Sequence, residues 1–202
     1  MSRRRSPKRA DLAGVLAAAL LLGGCTTTSN PQEPRVTGTS EKQIVLTEQV
    51  AAEQRVRTRT LATQVLTATA TGALAEFGAT SLLPDGAWVG CLDDGKGYKY
   101  SASARFDLST GSPADAVAAV ADSLTQDGWR PQPGADDEEP AFTRDDHVAT
   151  VFPGRDGRYI LMDVDGPCGV VEGDAPSGLP DGGSEDLPLP GVPTSPVAPP
   201  TT

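Results

Sequence analysis

Apolar and polar residues alternate most regularly over residues 98–108, where Tyr98, Tyr100, Ala102, Ala104, Phe106 and Leu108 interleave with Lys99, Ser101, Ser103, Arg105 and Asp107. A strand points successive side chains to opposite faces. The segment therefore predicts a strand with one apolar and one polar face, as in an antiparallel sheet covered on a single side. Residues 88–92 read as a preceding strand, set off by Pro84-Asp85-Gly86 before it and by a turn over residues 93–97 after it. At Ser112 the period changes. Val117, Val120, Ala121 and Leu124 fall at i, i+3, i+4 and i+7, with Ser112 as N-cap, Pro113 at the first helical position, Asp115 in the first turn and Gly128 as the stop. The stripe of this helix is expected to lie on the apolar face of the 98–108 strand.

An earlier helix is predicted from a capping box of Ser40 and Gln43 ahead of Ile44, Val45 and Leu46, with Glu53 and Arg57 paired at i, i+4, running toward Phe77. Its apolar stripe is uneven, and Thr and Ala alternate from residue 67 to 71. Residues 129–132, 141–144, 147–152 and 158–164 read as short strands with brief connections between the last three. The order is helix, two strands, helix, then three or four strands. This predicts an α+β fold, an antiparallel sheet of about five or six strands backed by two helices.

The two ends of the chain differ from this middle. Arg3, Arg4, Arg5, Lys8 and Arg9 precede an apolar run over residues 12–22, which is shorter than the roughly 20 residues a membrane-spanning helix needs. A basic start, a short apolar stretch and small residues form the layout of an export signal, here residues 1–24. The arginines overlap the twin-arginine pattern, but Ser6 and Pro7 stand where that pattern has apolar residues, which favours the general secretion route. Residues 25–39 read as a spacer rich in Thr and Ser, with sites for O-linked sugars. Residues 174–202 hold eight prolines, four glycines and no basic residue, a composition expected to remain a solvated tail beyond a folded domain at residues 40–173. Pro190, Pro193, Pro196 and Pro199 recur every third residue, the spacing that a polyproline-reading partner recognises.

Removing the five basic residues and Asp11 of the export signal from 17 basic and 27 acidic residues leaves 12 against 26, a net of −14. Such acidity argues against nucleic acid or anionic lipid headgroups as direct partners, since both demand basic patches. Of three cysteines, Cys91 and Cys168 remain after Cys25. An oxidising compartment makes them a disulfide pair, closing a loop long enough for a stabilisation of roughly 4 to 5 kcal/mol in the chain-entropy treatment. No CxxC spacing or histidine cluster offers them to a metal.

Candidate chemistry is sparse. His147, the only histidine, follows Asp145 and Asp146, yet adjacent residues at a strand edge point in alternating directions and not at one centre. Asp93-Asp94-Gly95 lacks the further ligands of a calcium loop and reads as a hairpin turn. There is no nucleophile elbow, phosphate-binding glycine loop or Cys/His pair. No catalytic residue, cofactor or metal is therefore assigned. Trp88, Tyr98 and Tyr100 are the candidate binding surface, with core packing as the alternative reading; a binding role requires them to be exposed in one patch.

Leu22-Gly23-Gly24-Cys25 resembles the bacterial lipobox, in which the cysteine is acylated and becomes the first residue of the mature protein. Two or more acyl chains anchor stably where one does not. Together with the spacer, Gly90-Cys91, Asp127-Gly128-Trp129 and Cys168-Gly169, the chain resembles small actinobacterial envelope lipoproteins of the mycobacterial LppA type over roughly residues 40–170. That resemblance implies an address at the outer face of the cytoplasmic membrane and a fold, but no activity. The expected role is a non-enzymatic accessory or binding module for an envelope protein or small ligand. A carrier with an apolar pocket for a lipid or metabolite is one alternative, and a hydrolase or metal-dependent enzyme using His147 is another. Mass spectrometry of the mature N-terminus is expected to find Cys25 first in the chain and acylated; an unmodified or absent Cys25 refutes the anchor.

Overall fold

The computed structural model of the protein describes residues 44–136, 139–155, 157–179 and 183–195. The central strand is the alternating segment. β3 (Gly97–Asp107) buries Tyr100, Ala102, Ala104 and Phe106 on one face and leaves Lys99, Ser101, Ser103, Arg105 and Asp107 half-buried on the other. It pairs antiparallel with β2 (Thr80–Gly90) on one side and with β7 (Tyr159–Asp165) on the other. Beyond β7 lie β6 (His147–Pro153), β5 (Ala141–Arg144) and β4 (Arg130–Pro131), each antiparallel to its neighbour. Where β7 ends, β8 (Gly169–Val170) continues along the same side of β3 and pairs in parallel with β1 (Ile44–Val45). With β9 (Glu185–Asp186) on the outer edge of β2, the sheet has nine strands among the described residues. It is mixed and larger than the five or six antiparallel strands expected from the sequence, because the extra members are two-residue strands too short for any periodicity to register.

Helix α1 (Glu48–Thr71) begins later than the Ser40 capping box predicts. Thr47 is the N-cap, its hydroxyl accepting from Val50 N at 3.3 Å, and Ser40 lies outside the described residues. Ile44 and Val45 are extended because their β-branched side chains suit the pairing with β8, and Leu46 N continues that ladder to Val170 O at 2.8 Å. The helix stops at Gly72, and Phe77 sits in a separate 3₁₀ turn (Ala75–Phe77). Arg57 does not pair with Glu53; it reaches Asp146 at 3.0 Å, while Glu53 accepts from Gln49. Helix α2 (Pro113–Gln126) starts at Ser112, whose hydroxyl accepts from Asp115 N, and buries Ala116, Val117, Val120 and Leu124. It packs on β4, β6 and β7, whereas α1 takes the face of β3. That corrects the expected placement of α2 on β3. The small Ala102 and Ala104 admit the close approach of α1, whose own buried face joins Ala51, Ala62, Val65, Leu66 and Ala70 with the polar Gln54, Thr58 and Thr69. Among the described residues no helix is long and apolar enough to cross a membrane.

Cys91 and Cys168 form a disulfide with Cα atoms 6.0 Å apart, tying the β2–β3 turn to the β7–β8 connection. Pro84-Asp85-Gly86 does not precede a strand but interrupts one. The register of β2 against β3 slips between Leu82 and Asp85, and Leu83 takes a left-handed φ of 42° with its side chain exposed. A proline is tolerated at such a bulge on an outer strand.

The largest correction concerns the C-terminal segment, expected as a solvated tail from residue 174. Residues 183–195 are docked as an arm along β2. Glu185 and Asp186 pair with Gly86 and Asp85. Leu187 is 1% exposed and Val192 is also buried. Ser81 N donates to Pro193 O and Ser195 N to Ser81 O, both at 2.7 Å. Upstream, Ser177 caps Glu48 through its N–H and hydroxyl, and Leu179 is buried. The Glu185 carboxylate receives a two-pronged contact from Arg55, Nε at 2.8 Å and Nη2 at 2.6 Å, with Arg59 at 3.5 Å and the Tyr100 hydroxyl donating as well. The Arg55 hydrogen bonds hold its carboxyl down to about 2, helped by Tyr100 and opposed by burial. Gly86 is needed here, because a Cβ at that position would lie 2.1 Å from the Tyr100 hydroxyl. Average composition misses this arm because a few anchors, not the mean, decide whether a segment docks. Leu187→Ala is expected to cost about 2 to 4 kcal/mol in denaturant unfolding, the penalty of a buried leucine; a value near zero refutes docking.

Candidate functional site

With both helices on one face of the sheet, the opposite face carries the polar set of β3 together with the alternate residues of β6 and β7. Lys99 and Asp165 form an ion pair at 2.5 Å. Ser103 donates to Asp163 at 2.7 Å, and Arg105 binds Asp107 while stacking 3.9 Å over the Tyr159 ring. Burial raises the carboxyl of Asp163, the charges of Asp165 and Asp85 act in the same direction, and the Ser103 hydrogen bond works against them. At one end of this face the sheet forms a groove of about 910 Å³. Ile44, Leu92, Val148 and Val170 give it apolar walls, Lys99 and Asp165 lie in its lining, and the Cys91–Cys168 disulfide flanks it. The β1–β8 pairing and the disulfide are what close that end.

A smaller pocket of about 180 Å³ adjoins the groove, sharing Ile44, Asp146 and Pro167 with it. Here His147 is 2% exposed. Its Nε2 lies 3.2 Å from the Thr58 hydroxyl, and its Nδ1 lies 2.8 Å from Asp146 Oδ1 but off the line of a hydrogen bond, so that contact is electrostatic. Asp146 is held by Arg57. The two-residue turn between β5 and β6, with Asp145 at a left-handed φ of 55°, folds Asp146 back onto the histidine. The sequence predicts adjacent residues that alternate in direction and share no centre; Asp146 does meet the ring. Burial lowers the His147 pKa and outweighs the Asp146 charge, which raises it, so the neutral form of the ring is favoured. Gln54 completes the cluster, its amide N–H donating to Pro167 O.

Thr58, His147 and Asp146 stand in the order of nucleophile, base and orienting carboxylate. Thr58 itself is fully buried, and Gly166 packs so closely on it that a Cβ there would lie 2.4 Å from its hydroxyl oxygen. The arrangement pins α1 to β6 and to the β7–β8 connection through the Thr58–His147 and Gln54–Pro167 hydrogen bonds. Among the described residues no group of three or more His, Cys, Asp or Glu is placed to hold a metal ion.

The aromatic candidates do not form one exposed patch. Tyr100 is buried and bound to Glu185. Trp88 meets it edge-on at 5.7 Å and is half-buried, and the Tyr98 hydroxyl donates to Gly95 O. The core-packing alternative holds for Tyr100, and the arm covers the edge where the patch was expected. Cys25, Pro196 and Pro199 lie outside the described residues. Thr58 and Gln54 were passed over in the sequence although they recur at helical spacing with Ala51, Ala62 and Val65; that polar interruption of a stripe was the available signal.

Protonation of His147 has a definite sign. Its folded pKa lies below the ordinary 6.5, so the unfolded chain takes up the proton first as the pH falls. The stabilisation is complete above about 6.5 and is lost as pH drops through that value toward the folded pKa. Asp145, Asp146 and Arg57 are the charges that act on it. Urea titrations are expected to show wild type losing stability between about pH 7 and pH 5 relative to His147→Gln; parallel profiles refute a buried neutral imidazole. Comparison with protein families, with curated proteins and with solved structures finds no match to this chain, so its function is read from its geometry.

Proposed function

We propose that this protein is a non-enzymatic envelope lipoprotein, held by acylated Cys25 at the outer face of the cytoplasmic membrane, whose groove on the uncovered sheet face is a binding surface. The observation that carries this reading is the groove itself, about 910 Å³ with apolar walls and an ion pair in its lining. Specific sites combine an apolar body with a few placed polar groups. The Lys99–Asp165 pair offers one donor and one acceptor to a ligand whose remainder lies against Ile44, Leu92 and Val148. The burial of Thr58 against Gly166 supports binding over hydrolysis.

A carrier is the second reading, favoured by the volume of the same groove. It differs in that the bound species is a lipid or small metabolite and not a protein. Photo-crosslinking in membranes separates the two. A benzophenone side chain at Leu92 or Val148 is expected to give protein adducts, while the same group at Val56, 65% exposed on α1 and away from the groove lining, gives none. Lipid-sized adducts at the groove positions favour the carrier. Equal labelling at all three positions, or none, refutes a groove-centred function.

A further inference from the structure

The contacts around the C-terminal arm have the composition of a peptide-recognition site whose peptide comes from the same chain. The receiving side is built wholly from residues 55–107. Arg55 and Arg59 of α1 and the Tyr100 hydroxyl take the Glu185 carboxylate, and Arg59 also donates to Asp186 O at 3.0 Å. Pro84 O accepts from Leu187 N at 2.9 Å, continuing the β2 edge. At the far end Thr80 and Asp107 bind the Ser195 hydroxyl at 2.5 and 2.9 Å. This is strand addition to a sheet edge, with main-chain hydrogen bonds supplying affinity and a charged clasp and a leucine site supplying selectivity. The delivering side is joined to the rest of the fold through Pro180-Asp181-Gly182, just after the buried Leu179.

We propose that this site also accepts the arm of a second copy of the chain, so that two molecules exchange residues 183–195. Each of these arm contacts is reproduced in the exchanged pair, because donor and receiver are identical in both molecules. The balance between closed monomer and exchanged dimer is then set by association entropy and by the connecting residues, and it shifts with concentration. The charge clasp fixes which segment fits, since an acidic side chain two residues before a buried leucine meets two arginines and a tyrosine.

Two full-length variants test it. Glu185→Arg repels its own receiving site, and Arg55→Glu with Arg59→Glu repels its own arm. Mixed, each arm meets a site of opposite charge only on the other molecule. Light scattering after size exclusion is expected to find a 1:1 pair on mixing, with a dimer fraction about tenfold above that of either variant alone at equal total concentration. The triple variant, with all three charges reversed, is expected to return to the wild-type distribution. Variants that keep their near-ultraviolet circular dichroism and stay monomeric when mixed overturn the proposal. If either loses its fold, sedimentation of wild type decides the matter: a dimer that grows with concentration and is weakened by the milder Glu185→Gln supports exchange, and a monomer at all concentrations overturns it.

Discussion

The two-faced character of β3 is the constraint on which the rest of the molecule depends. It is the longest inner strand among the described residues, with β2 and β7 antiparallel on its two sides, and its side chains divide the protein into a dry half and a wet half. Tyr100, Ala102, Ala104 and Phe106 define where the helices must sit. Lys99, Ser103 and Arg105 make the opposite face too polar to be covered by another apolar layer, so it stays open and carries the groove. A one-residue slip of register would invert both halves at once, and the disulfide beside the start of β3 opposes such a slip.

The dry half is not uniformly apolar. Gln54, Thr58 and Thr69 are buried along α1, and His147 meets Thr58 from β6. A neutral imidazole sharing one hydrogen bond with a hydroxyl avoids burying a net charge, which is the less costly way to place such residues in a core. The Arg57–Asp146 pair then sits at the rim of this cluster, partly solvated, where an ion pair contributes little to stability but fixes orientation. Polar packing of this kind explains how a helix with so weak an apolar stripe is held for 24 residues.

What could be read from the sequence follows the strength of local pattern. Alternation over β3 and the capped, periodic α2 were legible because the residues that form each element also decide it. The disulfide was legible from cysteine count and compartment. The start of α1 was not, since Ile44-Val45-Leu46 suits a strand as well as a helix and only its partner, β8, selects between them. The meeting of Thr58 with His147 joins residues 89 apart in the chain, and no local signal reports it. The arm was hidden for a different reason: proline and glycine dominate its composition, while its attachment rests on Glu185, Leu187 and Val192. The groove belongs to the fold as a whole, being defined by strands too short to leave a pattern.

The clasp on Glu185 has a consequence for the time course of folding. Arg55 and Glu185 are 130 residues apart, so their contact closes nearly the whole folded part of the chain, and contacts of such separation form only after the intervening structure has brought their ends together. Until then the outer edge of β2 presents unpaired backbone groups over Asp85 and Gly86, the kind of edge on which chains associate wrongly. The arm that finishes the sheet is thus made well after the edge it covers, and a nascent chain is exposed at β2 for the interval in which the residues between that strand and Glu185 are still being added.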